Sequence, residues 1–175
     1  MQISLIGPSG VGKSTVSKIL ASHYKIEHVS LDSLRRQRYG NELDEVGIDR
    51  FSEEANIYIV QNVLQEYQER DCILDFGAMN CAYKKEEHFD RFREYVRQLS
   101  NVVLLLPSND FLEGDTILSD RNAITRHLDE KELCRLSNEH RIIFDSNTSV
   151  TQSIIYTKNF EPEVIAQRII SIVGV

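Results

Sequence analysis

The sequence predicts an α/β protein, a three-layer α/β/α sandwich on a mostly parallel sheet, and three observations predict it. Apolar runs of strand length recur along the chain, stretches of helical period lie between them, and no linker, repeat or low-complexity tract divides it. The first run is Gln2 to Ile6. After it Val16, Ile19, Leu20 and His23 recur three and four residues apart, the spacing of one helix face. A weaker run, Ile26 to Ser30, comes next. A second stripe of Val60, Val63, Leu64 and Tyr67 leads into the run Cys72 to Phe76. A third, Phe89, Phe92, Val96 and Leu99, leads into Val102 to Leu106. A weak run at Ser153 to Tyr156 and a stripe of Ile165, Ile169 and Ile172 close the chain. Continuous apolar runs suit strands buried on both faces. Strand, helix and strand in repetition, joined by right-handed crossovers, make a parallel sheet whose ligands bind at the carboxyl ends of the strands.

The interval from about 121 to 147 breaks this alternation. It is polar, rich in Arg and Glu, and holds helical fragments without a clear strand. A helical lid inserted into a single domain spanning 1–175 is the functional expectation, and a peripheral helical insertion is the alternative.

Bulk properties narrow the partners. With 175 residues, 41% of them hydrophobic and 27% charged, the chain has the composition of one ordinary folded domain. A formal net charge of −7 and a pI near 5.3 argue against a nucleic-acid partner, which needs a basic face. Three cysteines, Cys72, Cys81 and Cys134, are an odd number without metal-ligand spacing, which fits a reduced, cytoplasmic setting. The apolar start of the chain is too short for a signal peptide, and no run reaches membrane-spanning length, so no membrane partner is expected. Either a monomer or a homodimer is compatible with these numbers.

The most specific string is Gly7-Pro8-Ser9-Gly10-Val11-Gly12-Lys13-Ser14-Thr15. It meets the pattern G-x-x-x-x-G-K-[ST] between an apolar strand and an amphipathic helix, which is the confirming context. Glycines allow successive backbone N–H groups to turn inward as an anion-binding nest, and the following helix adds free amides and the positive end of its dipole. The whole segment, Gly7, Ser9, Gly10, Val11, Gly12, Lys13, Ser14 and Thr15, is therefore the expected phosphate cradle of a P-loop nucleotide-binding protein. Lys13 is the point charge for the β- and γ-phosphates, and the Ser14 hydroxyl is the expected Mg²⁺ ligand.

Two acids follow strand candidates. Asp75 ends the run Cys72-Ile73-Leu74, as a Mg²⁺-adjacent acid does; otherwise it stabilises a turn before Gly77. Asp32 ends the second strand, where it can accept the proton of an attacking hydroxyl or help hold Mg²⁺; otherwise it caps a helix. The arginines Arg121, Arg126, Arg135 and Arg141 lie among Asp120, Asp129, Glu130, Glu132 and Glu139, so they serve either transition-state charge or solvated ion pairs. Arg35, Arg36 and Arg38 read as a solvated helix face, His127 and His140 suggest no metal pair, and Tyr39, Tyr58 and Tyr83 read as packing.

Gly7 to Thr15, Leu31-Asp32 and Leu74-Asp75-Phe76-Gly77, with Tyr156 to Glu163 near the end, resemble the shikimate kinase-like branch of the nucleoside monophosphate kinase-type P-loop proteins. The resemblance implies a five-stranded parallel sheet, ATP with Mg²⁺, a lid, and transfer of phosphoryl to the hydroxyl of a small-molecule acceptor. It assigns catalysis to Lys13, Asp32, Arg121 and Arg126, metal binding to Ser14, Asp75 and Asp32, and acceptor contact to Arg141. ATP in preference to GTP follows from it, and no guanine-reading Asn-Lys-x-Asp string is present. Three departures fall at the acceptor. Ser30 replaces the first acid of an Asp-x-Asp pair, Gly77-Ala78-Met79 replaces a triple-glycine turn, and Asn56 stands where a substrate-binding arginine is expected. An amide cannot replace the bidentate grip of a guanidinium on a carboxylate, so an acceptor other than shikimate is expected. A nucleotide-binding regulatory module without transfer, and a nucleoside or nucleotide kinase, are the other readings.

Overall fold

The computed structural model describes residues 1–174. Its elements are β1 (Gln2–Ile6), α1 (Lys13–Tyr24), β2 (Glu27–Ser30), α2 (Leu31–Leu34), a π-helical turn (Arg35–Tyr39), α3 (Gly40–Glu45), α4 (Glu53–Tyr67), β3 (Cys72–Asp75), α5 (Glu86–Arg97), β4 (Val102–Leu106), α6 (Phe111–Arg126), α7 (Glu130–Ser146), β5 (Ile154–Tyr156) and α8 (Pro162–Val173). The five strands form one parallel sheet in the order β2-β3-β1-β4-β5. The chain reverses direction across the sheet after β1, which places the loop following β1 at the switch point where such sheets bind ligands.

The strands sort their side chains by the period of two. Ile3 and Leu5 of β1, Ile73 of β3, and Val103 and Leu105 of β4 point to one face, where they pack with Val16 and Leu20 of α1 and Ile165 and Ile169 of α8. Ile6, Cys72, Leu74, Val102, Leu104 and Leu106 point to the other, under α4 and α5. Both faces are covered, which is why the runs read as continuously apolar.

Two stripes sit about one residue away from their expected phase. On α1 the buried set is Val16, Ser17, Leu20 and Ala21, while His23 is exposed; on α8 Ile165, Ala166 and Ile169 are buried and Ile172 is half exposed. In each case the covered face includes neighbours one residue along, as a helix lying flat on a sheet requires. The polar interval also differs from helical fragments. It consists of the last turns of α6 and the whole of α7, joined at His127, which adopts the left-handed conformation at φ 53°. A capping box between Asp129 and Glu132 starts α7. Ser137 Oγ donates to Asp115 at 2.7 Å, and His140 Nδ1 lies 3.2 Å from the same carboxylate, tying the hairpin together. No described helix is long and apolar enough to cross a membrane.

Candidate functional site

The turn from β1 into α1 is built on three glycines with positive φ: Gly7 at 145°, Gly10 at 82° and Gly12 at 102°. Gly7 is also a close approach, because a β-carbon there would overlap the Leu105 carbonyl oxygen of β4. Gly10 lies against α6, with the amide of Asn122 2.7 Å from where a β-carbon would stand. Gly12 caps α1 without any side-chain hydrogen bond, so the first-turn amides remain free to receive an anion. Lys13 is 7% exposed, and its Nζ donates to the Pro8 carbonyl at 2.8 Å, which folds the ammonium over the loop.

A cavity of about 250 Å³ opens over this loop. Ser9, Gly10, Gly12, Lys13, Ser14 and Thr15 line it, and Asp32, Asp75 and Arg126 join them from three other elements. Two predicted cradle residues do not line it. Gly7 lies beneath as the hinge, and Val11 is 1% exposed in the apolar cluster behind the loop.

Asp75 closes β3 at 3% exposure. Burial alone raises its pKa, but the His28 imidazole, the Ser14 hydroxyl and the Lys13 ammonium outweigh that and hold the carboxyl below its ordinary value. Its Oδ1 is buried with no hydrogen-bond partner. An ionised carboxylate with one orphaned oxygen beside a serine hydroxyl is a donor set that fits a hard divalent cation.

Asp32 does not cap its helix. Ser30 does, accepting from the Ser33 amide at 3.3 Å, and Asp32 is thereby left exposed on the first turn of α2. Its carboxylate lies so close to Gly77 that any β-carbon on that glycine would overlap it. The glycine after β3 therefore leaves room for the Asp32 carboxylate in this position.

The arginines separate. Arg126 reaches the loop, its Nη1 donating to Ser9 Oγ at 2.7 Å, whereas Arg121, earlier on the same helix, does not line the cavity. Arg141, expected at the acceptor, lines neither this cavity nor the larger one beside it, and its guanidinium stacks on the Phe111 ring at 3.2 Å. Arg135 lines a second cavity of about 470 Å³ between α4, the turn after β3, and α7.

Four residues of the site escape the sequence reading. Arg35 is not on a solvated face. It is half-buried, Nη1 donating to the Arg50 carbonyl at 2.8 Å, while Nη2 donates to Asn80 Oδ1 at 3.0 Å and to Asn56 Oδ1. Burial lowers its pKa, and the nearby Asp32 opposes that effect. Its spacing of four from Leu31 and Tyr39, both fully buried, was the available signal. Asn122 is buried at 1% and donates to the Ser9 carbonyl at 3.4 Å, and His28 approaches Asp75 at 3.6 Å.

The fourth is Glu139 of α7, 8% exposed and on the wall of the larger cavity. Burial raises its pKa, and Lys13 and Arg135 do not compensate. A carboxyl whose folded pKa is raised stabilises nothing once ionised: its cost is absent below the ordinary carboxylate range and grows as pH rises through the folded value. Glu139→Gln is accordingly expected to be more stable than the wild type by about 1–3 kcal/mol at pH 8, with the difference shrinking toward pH 4. Urea unfolding at the two pH values checks this.

Residues 3–133 match the family model described as an AAA domain. Comparison with curated proteins gives no match. Among solved structures, a shikimate kinase from Acinetobacter baumannii in complex with shikimate is similar at TM-score 0.73 and 19% identity, over 98% of this chain and 92% of that one. A gluconokinase from Sinorhizobium meliloti gives 0.67 and 17%, over 99% and 91%. The YorR protein of Bacillus subtilis, in complex with phosphorylated GDP, gives 0.65 and 15%, over 99% and 95%. At these identities the likeness is one of fold.

Proposed function

We propose, for a chain that belongs to the AAA domain family, that the cavity over the glycine loop transfers the γ-phosphoryl group of ATP to a hydroxyl of a small molecule. The observation that carries this reading is the convergence of Lys13, Ser14, Asp32, Asp75 and Arg126 on one cavity from four separate stretches of chain. Kinases among the proteins of similar fold, a shikimate kinase and a gluconokinase, support it.

Each residue has a distinct task. The loop amides and Lys13 bind and neutralise the phosphate chain. Ser14 and Asp75 are the residues that would hold Mg²⁺, with Asp32 close by, and the ion supplies charge neutralisation and orientation of the phosphates when bound. Asp32 accepts the proton of the acceptor hydroxyl. The acceptor oxygen bonds to the γ-phosphorus as the bond to the β–γ bridging oxygen breaks, leaving ADP. Arg126 covers the charge that spreads over the migrating group. The hairpin of α6 and α7 is the lid, since it brings Arg126 and Glu139 to the cleft from outside the sheet.

Asp32 also favours transfer over a purely regulatory nucleotide switch. An exposed carboxylate, relieved of capping and seated on a glycine, is available to take the proton of an acceptor hydroxyl as well as to stand near the metal. The free thiols support a reducing, cytoplasmic setting.

Labelled ATP with a panel of hydroxylated acceptors tests the reading, and binding of Mg·ATP without any labelled product sinks it. Within that assay Arg126→Ala is expected to lower kcat by about 10²-fold, the weight of one preorganised donor. Arg121→Ala is expected to leave kcat within about 3-fold, since Arg121 does not line the cavity and adds no donor to the migrating group.

A further inference from the structure

Phosphoryl transfer as outlined gives no task to His28, on the strand beside Asp75. β2 and β3 pair in parallel, with His28 opposite Ile73 and Ser30 opposite Asp75. Side chains alternate along a strand, so His28 and Asp75 stand on the same face of the sheet, offset by two residues. That face is the one under α1, since Ile73 packs there with Val16 and Leu20. The imidazole is 20% exposed, and its Nε2 lies 3.6 Å from Asp75 Oδ2. The separation is longer than a hydrogen bond, but Nε2 is buried, has no partner elsewhere, and faces an ionised carboxylate that can only accept. Nε2 therefore carries the hydrogen of the neutral ring, directed at Oδ2. Oδ1 of the same carboxylate is buried and unpaired. The two oxygens are thus divided, one toward the imidazole of the neighbouring strand and one left open. Ser14 and Lys13 also act on this carboxyl, but from the loop, where the proposed function commits both to cation and phosphate.

We propose that His28 is a positioning residue for the divalent cation: its Nε2–H fixes the Asp75 carboxylate by Oδ2 and so presents Oδ1 to the ion beside the Ser14 hydroxyl. The claim rests on the cation assignment made above. A hydrogen bond to a ligating carboxylate from outside the coordination sphere removes its rotational freedom, and losing such a contact costs about 10- to 100-fold in metal affinity.

The test uses the full chain and needs no turnover. Mn²⁺, which takes the same oxygen ligands as Mg²⁺, is titrated into the protein with ADP and followed by electron paramagnetic resonance. ADP affinity in EDTA is measured by calorimetry. In His28→Leu, which keeps the bulk and removes the donor, Mn²⁺ affinity is expected to fall about 10- to 100-fold, with ADP affinity in EDTA unchanged. His28→Gln, whose amide nitrogen reaches the place of Nε2, is expected to restore most of the loss. His28→Asn is equally polar but too short, and is expected to fall as far as His28→Leu; it carries the test if the leucine variant does not fold. Circular dichroism and urea unfolding establish which variants are folded. Unchanged Mn²⁺ affinity in folded His28→Leu or His28→Asn overturns the proposal, and so does an equal loss in His28→Gln, which assigns His28 to packing alone. Label transfer is scored separately: its absence beside a cation affinity that depends on His28 upholds this inference and overturns the phosphotransferase reading.

Discussion

Lys13→Ala is expected to reduce phosphoryl transfer by about 10³-fold and to remove most of the thermal stabilisation that Mg·ATP gives the wild type. The ammonium is held over the loop by the Pro8 carbonyl at 2.8 Å and is nearly enclosed, so no solvent-exposed cation replaces it from the side. An interior charge interacts with phosphate through far less screening than a surface one. The fold itself should survive, because Lys13 contributes one hydrogen bond to a neutral carbonyl and no ion pair among the described residues. Circular dichroism and urea unfolding without nucleotide establish that, and label transfer and the nucleotide-dependent shift in Tm then measure the effect. Transfer within about tenfold of the wild type would remove the loop from the mechanism.

Gly77→Ala is expected to lower kcat by about 10²- to 10⁴-fold, the range for loss of a general base, with the affinity for Mg·ATP retained. The residue has φ −58° and ψ 146°, a conformation any amino acid adopts, so alanine introduces no backbone strain. What it introduces is a methyl group where the Asp32 carboxylate lies. The carboxylate must move. Asp32→Ala should therefore cost as much as Gly77→Ala, and the double variant should cost no more than either single one, since both remove the same positioned group. Additive losses in that cycle would mean that Gly77 acts on catalysis by another route.

The glycine-loop half of the candidate site was legible because it is local. A strand, a glycine loop and the first turn of a helix lie within residues 2–15, and every property needed there is a backbone property of those residues: positive φ at Gly7, Gly10 and Gly12, and free amides at the start of α1. The strands were legible for a similar reason, as burial on both faces writes itself into the residue types. Asp75 was readable as the end of such a run. The rest of the candidate site was not legible. Arg35 and Arg141 look alike in sequence, a basic residue in a polar helix, yet Arg35 is drawn inward by three carbonyl oxygens distant in the chain, and Arg141 is captured by Phe111 thirty residues away.

By itself the sequence determined the layered parallel sheet and the glycine loop, because hydrophobic period and glycine conformation act over a few neighbouring residues. That Asp32 stands exposed against Gly77, that Arg126 reaches the loop, and that Glu139 is buried were decided only when the α6–α7 hairpin and the turn after β3 packed over the strand ends. Desolvation and hydrogen-bond pairing depend on neighbours that the chain brings together from a hundred residues apart.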